Sequence, residues 1–385
     1  MINRLLSKHI FERLAYFPAL ALVGPRQVGK TTLAKQMTLD MEKEVEYIDV
    51  EFPEDALKLT DAALYLKRLE EKIVIIDEIQ RMPELFPILR SLIDQNNQAG
   101  RFILLGSASP DILKNTSETL AGRISYLELM PFNLSEVGND YEKHWLRGGF
   151  PKAYLAPSES IWEIWFEDFR RTYVERDLPL LGMPANPMEI QRLLLMLTSV
   201  HGGLLNYNML ANSLGLSSKT VSRYIDFLEN AFLIRRIQPY YTNIGKRLTK
   251  SPKLYIRDSG FLHYLLGLSK VEEIFGNQIA GNSWEGYVIQ EILNYLPVNT
   301  QTYFYRTHDG AELDLVIQKG NTIKLTIEIK LSNTPKLTKG TTIALQDLNN
   351  PPLLVVTPSA NDYELRENQF VCSVGTLPQN LLKFL

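Results

Sequence analysis

The feature that most constrains the fold is a glycine-rich turn in the stretch ALVGPRQVGKTTLAKQM, residues 21–37. An apolar run over 19–23 ends in this turn, and a helical pattern over 30–38 follows it. The turn has the spacing G-x-x-x-x-G-K-[ST] of a phosphate-binding P-loop. Glycine permits backbone angles that other residues avoid, so successive N–H groups can point at phosphate oxygens. The sequence therefore predicts a strand, a nucleotide-binding loop and a helix in that order. The alternative is a glycine turn that binds no ligand.

The P-loop interpretation assigns roles to the residues of the turn. Lys30 is expected to reach the β- and γ-phosphates, and Thr31 is expected to hold Mg²⁺. The helix adds its positive N-terminal end to the same site. The residues expected to contact the nucleotide are Gly24, Pro25, Arg26, Gln27, Val28, Gly29, Lys30, Thr31 and Thr32.

A second motif, KIVIIDEIQ at residues 72–80, has the pattern of a Walker B strand. Four apolar residues precede Asp77 and Glu78. Asp77 is expected to bind Mg²⁺ through water, and Glu78 is expected to polarise the water that attacks the γ-phosphate. The alternative is a pair of carboxylates that only cap a helix.

Apolar strands alternate with helical patterns through the first part of the chain, which predicts a parallel sheet covered on both faces. The expected strands are 19–23, 45–50, 73–76, 101–105 and 124–130. At the end of the fourth strand, Ser107 is expected to sense the γ-phosphate, with Ser109 as the alternative. Arg123 precedes the last strand and is expected at the edge of the domain. There it either completes a neighbouring subunit's site or forms a surface salt bridge.

Composition excludes several classes of protein. The 385 residues are 45% hydrophobic and 22% charged, as in folded globular chains. The single cysteine, Cys372, excludes an internal disulfide framework and a cysteine-based zinc site. No signal peptide is evident, and no apolar stretch approaches the roughly 18 residues that a membrane span requires. We therefore expect a cytoplasmic protein with no membrane partner.

The next segment, 136–186, is expected to be a helical lid. Its aromatic residues fall at helical spacing and are expected to form a core face: Trp162, Trp165, Phe166, Phe169 and Tyr173. Four arginines are candidates for a second contact to the nucleotide, and the sequence does not choose among Arg147, Arg170, Arg171 and Arg176.

Residues 187–258 are expected to form a winged helix. A helix over 208–214, a glycine turn and a second helix from Ser217 place Lys219 and Arg223 on the end that enters a major groove. A two-stranded wing with a basic tip follows, and the tip residues are Lys246, Arg247, Lys250 and Lys253. Ten Lys and Arg against three Asp and Glu over 189–257 give this stretch a charge of +7, which suggests DNA as a partner. The alternative is a winged helix used for packing or oligomerisation.

The C-terminal residues, 259–385, contain a second group of charged residues. Alternation along two expected strands places Asp314 across a hairpin from Glu328 and Lys330, and Glu285 lies on the preceding helix. Carboxylates suit Mg²⁺ or Mn²⁺, and the lysine can position a water. The arrangement resembles the PD-(D/E)xK nuclease core, with Glu285, Asp314 and Glu328 as expected metal ligands. The alternative is a pair of exposed strand faces with ion pairs.

Several motifs together resemble those of AAA-type ATP-binding proteins with a DUF4143 C-terminal region. They are GPRQVGKTTLA, IIDEIQRMPELFPILRSLID, GSAS, LAGR, LMPFNLSE and RGGFPKAYL, and the resemblance covers nearly the whole chain. It implies an AAA+ or STAND-like core with ATP and Mg²⁺, and a PD-(D/E)xK-like C-terminal fold in which many members have lost cleavage.

The expected fold class is α/β: a P-loop NTPase core over 1–135, the helical lid, the winged helix and the nuclease-like domain. The expected function is ATP hydrolysis coupled to DNA binding, with metal-dependent cleavage or remodelling as a further step. The expected assembly is a homo-oligomer. The alternative is an ATP-gated regulatory or defence-type oligomeric switch whose nuclease-like domain is inactive.

Overall fold

A computed structural model describes residues 2–107, 120–241 and 248–385, with only the backbone of Leu180. Ser109, Lys246 and Arg247 lie outside the described residues. The chain divides into two compact units. The first comprises Met1–Phe132 with Asn230–Phe232, and the second comprises Asn133–Glu229 with Leu233–Leu385. The predicted domain boundaries at 135, 186 and 258 stay predictions.

The first unit contains a five-stranded parallel sheet in the order β2-β3-β4-β1-β5. Its strands are β1 Ala19–Val23, β2 Val45–Asp49, β3 Ile73–Asp77, β4 Phe102–Gly106 and β5 Ile124–Glu128. Its helices are α1 Leu6–Leu14, α2 Lys30–Met37, α3 Pro53–Lys58, α4 Ala62–Lys67 and α5 Leu85–Gln95. Every residue of β1, β3 and β4 is buried, which explains their continuous apolar sequences. The predicted parallel α/β core is confirmed.

This strand order brings the candidate nucleotide residues together. β4 lies between β1 and β3, and the three strands are parallel. Their carboxyl ends therefore share one edge of the sheet, where ligands bind in open α/β folds. The loop from β1 to α2, the two carboxylates at the end of β3 and the serine after β4 all lie at this edge.

Two glycines of the β1–α2 loop are required by its geometry. Gly24 has φ +152°, and a Cβ there would lie 2.3 Å from the carbonyl oxygen of Leu129. Gly29 caps α2 in the left-handed region, with φ +97°. A side chain at Gly24 is therefore excluded by the backbone of Leu129, just after β5, and one at Gly29 is disfavoured by the backbone angle.

The second unit contains helices along its whole length. They are α6 Tyr141–Arg147, α7 Pro151–Tyr154, α8 Glu159–Phe169, α9 Leu178–Leu180, α10 Pro187–Ser199, α11 Tyr207–Leu214, α12 Ser218–Asn230, α13 Ser259–Leu265, α14 Val271–Phe275, α15 Ala280–Leu293, α16 Lys339–Asp347 and α17 Leu377–Leu381. A π-helical segment, Arg170–Asp177, continues α8. Trp162, Phe166, Phe169 and Tyr173 are buried, which confirms these four residues of the predicted aromatic core face, whereas Trp165 is half-buried.

An eight-stranded mixed sheet, in the order β12-β13-β11-β10-β9-β8-β6-β7, completes the second unit. Its strands are β6 Ile234–Pro239, β7 Lys253–Ile256, β8 Thr300–Arg306, β9 Glu312–Lys319, β10 Thr322–Ile329, β11 Leu353–Thr357, β12 Tyr363–Arg366 and β13 Gln369–Ser373. β8, β9 and β10 are antiparallel neighbours, whereas β10 and β11 are parallel. The antiparallel hairpin β6–β7 follows α12, but β6 also pairs with β8, so this hairpin continues the C-terminal sheet.

The predicted position of Lys253 at an exposed wing tip is wrong. Lys253 begins the buried strand β7 and is 2% exposed. Two other cations of the +7 stretch also add little to the positive charge of the surface. Arg236 pairs with Asp226 and Glu229, and Arg257 is buried. The predicted basic surface is therefore smaller than the formal charge implies.

No helix among the described residues is long and apolar enough to cross a membrane.

Candidate active sites

Lys30 lies against the loop that precedes it. Its Nζ donates hydrogen bonds to the carbonyl oxygens of Gly24, at 3.0 Å, and Pro25, at 2.9 Å. The residue is 6% exposed. Burial lowers the pKa of Lys30 to about 8, against the opposing effect of the carboxylates of Glu78 and Asp77. The ammonium group is therefore held at the N-terminal end of α2, where a phosphate group is favoured.

Asp77, at the end of β3, accepts two short hydrogen bonds on one oxygen. Thr31 Oγ1 lies 2.6 Å from Asp77 Oδ2, and the Tyr47 hydroxyl lies 2.5 Å from the same atom. Burial, followed by the bond to Asp77, raises the pKa of Tyr47. A hydroxyl and a carboxylate from the two motifs thus meet, and these hard oxygen donors fit Mg²⁺.

Glu78 has an unusual backbone conformation and a defined set of partners. Its φ is +55°, in the left-handed region that costs a non-glycine residue about 1 kcal/mol or more. Glu78 Oε2 accepts hydrogen bonds from Gln80 Nε2 and from Ser107 Oγ, the latter at 3.2 Å. Gln80 Nε2 also donates to Ser107 Oγ at 2.9 Å. Hydrogen bonds from Gln80 and Ser107 therefore hold the Glu78 carboxylate beside the end of β4.

Sequence reasoning missed Tyr47 and Gln80. Gln80 lies two residues after Glu78 in a short turn, so its polar side chain beside the Walker B pair was a usable signal. Tyr47 lies on β2, which pairs with β3. No local pattern marks this contact, because it depends on which strands become neighbours.

Arg123 forms an ion pair within its own chain. Its Nε lies 2.5 Å from Asp94 Oδ1, and its Nη1 donates to the carbonyl oxygen of Ala121 at 3.1 Å. The side chain is 31% exposed. Both roles considered from the sequence are compatible with this geometry, and action on a neighbouring subunit stays a prediction.

The four candidate arginines of the helical segment all have partners inside the second unit. Arg147 donates to the carbonyl oxygen of Ala156, and Arg176 contacts Asp177. Arg170 and Arg171 both pair with Glu167. These contacts do not select one of the four as a nucleotide ligand.

The second site lies where α15 meets strands β9 and β10. The β9–β10 register pairs Val316 with Thr326 and Leu315 with Ile327, so Asp314 and Glu328 follow at opposite positions. Asp314 Oδ2 accepts a hydrogen bond from the Ile329 backbone N–H at 2.7 Å.

The partners of Glu328 distinguish its two oxygens. Oε1 accepts from Lys330 Nζ at 2.6 Å and from Thr341 Oγ1 at 3.2 Å. Oε2 is buried and has no hydrogen-bond partner among the described residues. Burial raises the pKa of Glu328, and burial followed by the nearby carboxylates raises the pKa of Asp314 well above its usual range. Lys330 therefore supplies a positive charge to this buried pair of carboxylates, and Glu328 Oε2 is the oxygen left without a partner among the described residues.

Lys253 changes the predicted metal site. Its Nζ lies 2.9 Å from Glu285 Oε1, 2.8 Å from Glu312 Oε1 and 4.0 Å from Asp314 Oδ1. The Tyr255 hydroxyl also donates to Glu285 Oε1, at 2.5 Å. Within the described part of the chain, no three His, Cys, Asp or Glu side chains are arranged to hold a metal ion. The predicted trio of Glu285, Asp314 and Glu328 is therefore not assembled as a metal centre, because Glu285 is engaged by the lysine.

Three cations predicted to contact nucleic acid are described, and all are exposed. Lys219 and Arg223 lie on the first half of α12 and form no hydrogen bond or ion pair with another described residue. Lys250 lines a cavity of about 510 Å³ together with Arg306 and His308. These cations are therefore exposed to solvent, and the cavity beside Lys250 adjoins the carboxylate site through Arg306, whose Nη1 lies 3.6 Å from Glu312 Oε2.

Family models match three successive parts of the chain. An AAA domain matches residues 16–138, and a domain of unknown function, DUF8612, matches residues 138–272. A second domain of unknown function, DUF4143, matches residues 280–377.

Relatives in two mycobacteria match most of the chain. Uncharacterized proteins of Mycobacterium tuberculosis and Mycobacterium bovis are each 38% identical over 351 residues, which is 91% of this chain and 78% of the relative. Among solved structures, a Walker-type ATPase of Pyrococcus abyssi matches 69% of this chain and 96% of its own, with 15% identity and a TM-score of 0.47. A STAND ATPase with a tetratricopeptide repeat sensor, from Pyrococcus horikoshii, matches 77% of this chain and 46% of its own, with 14% identity and a TM-score of 0.30.

The family models and the mycobacterial relatives show the family of the chain. The structural likenesses are too distant to do so. The P-loop, the Walker B pair and the sheet order all lie in the part matched by the AAA domain. The protein belongs to the family of AAA-type ATP-binding proteins with a DUF4143 C-terminal domain, and its first unit is a P-loop ATPase.

Proposed function

We propose that the protein binds ATP with Mg²⁺ at the β1–α2 loop and couples hydrolysis to DNA binding through α12. Lys30 leaves the carbonyl oxygens of its loop to contact the β- and γ-phosphates. Thr31 and Asp77, already 2.6 Å apart, hold the ion. When bound, Mg²⁺ neutralises charge that develops on the phosphate oxygens. Glu78 orients the attacking water, and Ser107 keeps that carboxylate aligned.

Nucleotide affinity is expected to fall as the pH rises above about 8. Since burial lowers the pKa of Lys30 to about 8, the ammonium is charged below this value and increasingly neutral above it. Binding of the anionic nucleotide at higher pH must then take up a proton, so affinity drops by about tenfold per pH unit. Calorimetry with a non-hydrolysable ATP analogue, in buffers of different ionisation enthalpy, measures both the affinity and the proton uptake. Constant affinity up to about pH 9.5 contradicts the lowered pKa.

The observation that carries the DNA part of the proposal is the state of the cations around α12. Lys219 and Arg223 are exposed and make no hydrogen bond or ion pair with described residues, whereas Arg236 and Lys253 are neutralised by carboxylates. Two free cations on the first half of a helix can contact phosphates and give affinity without strong sequence preference.

ATP turnover with single-stranded, duplex and branched DNA tests the coupling. We expect at least one DNA form to raise the rate of ATP turnover, because the free energy of DNA binding would stabilise the conformation that hydrolyses ATP. Turnover that no DNA form changes contradicts the coupling. Stimulation by a partner protein without DNA dependence supports the regulatory-switch alternative instead.

Combined Lys219→Ala and Arg223→Ala substitutions are expected to weaken DNA binding and reduce its salt dependence. The slope of log affinity against log salt should fall by about one unit per lost phosphate contact. Fluorescence anisotropy at several salt concentrations measures the slope. Lys319→Ala with Arg366→Ala is a matched control, since both cations are exposed in the same unit. Equal slopes for the two double variants contradict the assignment to α12.

The second candidate function is an ATP-gated switch with an inactive nuclease-like domain, which the ion pairs of Lys253 favour.

A nuclease centre at Asp314, Glu328 and Lys330 predicts DNA cleavage that needs Mg²⁺ or Mn²⁺ and stops in EDTA. Asp314→Ala and Lys330→Ala should each reduce it far more than about tenfold, while ATP turnover continues. If the purified protein cuts no DNA form with either metal, with or without ATP, the inactive domain is supported. If Asp314→Ala cuts like the wild type, the activity belongs to another site.

A further inference from the structure

The cavity of about 510 Å³ beside Lys250 lies in the second unit, next to the carboxylate site but outside it. Backbone contacts hold its wall together. The Thr249 N–H donates to the carbonyl oxygen of Arg306 at 3.1 Å, and Leu248 pairs with Thr307 in an isolated bridge. The segment before β7 is therefore fixed to the end of β8, and the cavity is a formed feature of the fold.

The side chains that line this cavity carry positive charge. Among the described residues of its lining, Lys250 and Arg306 are cations and none is an aspartate or a glutamate. Lys250 is exposed and forms no ion pair with another described residue. The lining also includes the hydroxyl-bearing residues Thr249, Ser251 and Thr307. Cations and hydroxyl groups are the donors that proteins use to contact phosphate oxygens.

Arg306 remains able to contact an anion, although Glu312 lies nearby. Arg306 Nη1 is 3.6 Å from Glu312 Oε2, which is too long for a hydrogen bond, and the arginine side chain is 39% exposed. The other oxygen of Glu312 lies 2.8 Å from Lys253 Nζ. Because Lys253 already neutralises Glu312 and an exposed ion pair is weak, the guanidinium group can turn to a ligand at little cost.

The volume of the cavity restricts the form of the ligand. Pockets of about 300–1,000 Å³ hold small molecules, so this one can hold a nucleoside with its phosphate but not a section of duplex. A nucleotide enters a concave site only when it has left the base stack. Ser251, His308 and Gly310 are exposed at the rim, which leaves a strand room to pass. The imidazole of His308 is of a type that stacks on unpaired bases.

We propose that this cavity binds one unpaired nucleotide of a DNA strand, with Lys250 and Arg306 on its phosphate. The inference rests on the DNA binding proposed above and adds the form of DNA, which is single-stranded or branched and not fully paired. The contact needs no metal ion, and it is separate from the contacts of Lys219 and Arg223 on α12.

Fluorescence anisotropy in EDTA, without ATP, compares a single-stranded oligonucleotide with the same sequence as a blunt duplex. We expect the full-length protein to bind the single strand more tightly. Lys250→Glu and Arg306→Gln should each lower single-strand affinity by about tenfold or more, because each removes a charge-assisted contact to phosphate, and should change duplex affinity less. Arg306→Lys should retain most of the affinity. Lys319→Glu and Arg366→Gln, at exposed cations of the same unit, are the matched controls and should leave the preference unchanged.

Phosphorus NMR of deoxythymidine monophosphate separates a DNA strand from a free nucleotide as the ligand. Lys30→Ala protein is used, so that the nucleotide loop does not contribute. We expect the phosphorus signal to shift on addition of this protein, and we expect Lys250→Glu in the same background to remove the shift. If the monophosphate binds through Lys250 but single-strand affinity does not depend on it, the ligand is a free nucleotide and the DNA strand is rejected.

Two other results would overturn the inference. One is an unchanged preference for the single strand in both Lys250→Glu and Arg306→Gln, which leaves DNA binding through α12 intact. The other is a monophosphate signal that the protein does not shift. A protein that binds no DNA form instead contradicts the proposed function, and the monophosphate titration then shows independently whether the cavity holds a nucleotide.

Discussion

Lys30→Ala is expected to abolish ATP binding. The ammonium group is buried at the N-terminal end of α2, where it donates to the carbonyl oxygens of Gly24 and Pro25, and the P-loop assignment gives it the contact with the β- and γ-phosphates. Removing a buried charge partner of an anion costs about 2–5 kcal/mol, so affinity should fall by about 30-fold or more. Titration with a fluorescent ATP analogue measures this. Lys67→Ala, an exposed lysine on α4, is the matched control. Equal affinity of Lys30→Ala and wild type would reject the P-loop assignment.

Glu78→Gln is expected to behave differently, because its role lies in the chemical step. The amide keeps the shape of the side chain and can still bond to Ser107, but it cannot polarise the attacking water. ATP binding should persist while turnover falls by about 100-fold or more. Single-turnover kinetics separate binding from hydrolysis. A Glu78→Gln protein that hydrolyses ATP at the wild-type rate shows that the general base is another residue.

Arg123→Ala is expected to reduce turnover by about a thousandfold or more, if this arginine completes the site of a neighbouring subunit. Reaching that site requires the contact with Asp94 to open, and this exposed pair is weak enough to do so. Arg90 also contacts Asp94, at 3.8 Å, so Arg90→Ala is the matched control. Sedimentation with and without ATP measures the expected homo-oligomer.

Mixing the two inactive proteins tests action between subunits directly. Arg123→Ala subunits retain Glu78, and Glu78→Gln subunits retain Arg123, so mixed interfaces contain one complete site. Restored turnover supports action in trans. If Arg123→Ala loses no turnover, or if mixing restores none, the contact with Asp94 is the whole role of Arg123.

The nucleotide site was largely predictable because its motifs are local. Gly24, Lys30 and Thr31 lie within eight consecutive residues, and the apolar run before Asp77 identifies a buried strand. Parallel strands end at a common edge, so two motifs that each follow a strand are expected to meet. Tyr47 was not predictable in this way, since its contact with Asp77 requires β2 to be the neighbour of β3.

The carboxylate site shows where such reasoning fails. Alternation predicted that Asp314 and Glu328 face each other, and the β9–β10 register agrees. Lys253 was interpreted as a surface cation because a basic stretch between two strands resembles a wing. Its strand instead lies at the end of the C-terminal sheet, where α15 and β9 supply carboxylates.

The sequence by itself determined the P-loop, the Walker B pair, the parallel α/β core and the pairing of Asp314 with Glu328. These features follow from glycine positions and from periodicities of two or 3.6 residues, which are set by the local backbone. Only the tertiary structure decided which charges neutralise one another: Lys253 with Glu285 and Glu312, and Arg123 with Asp94. A charged residue has no local signal for its partner, because burial and distance arise when segments far apart in the chain pack together.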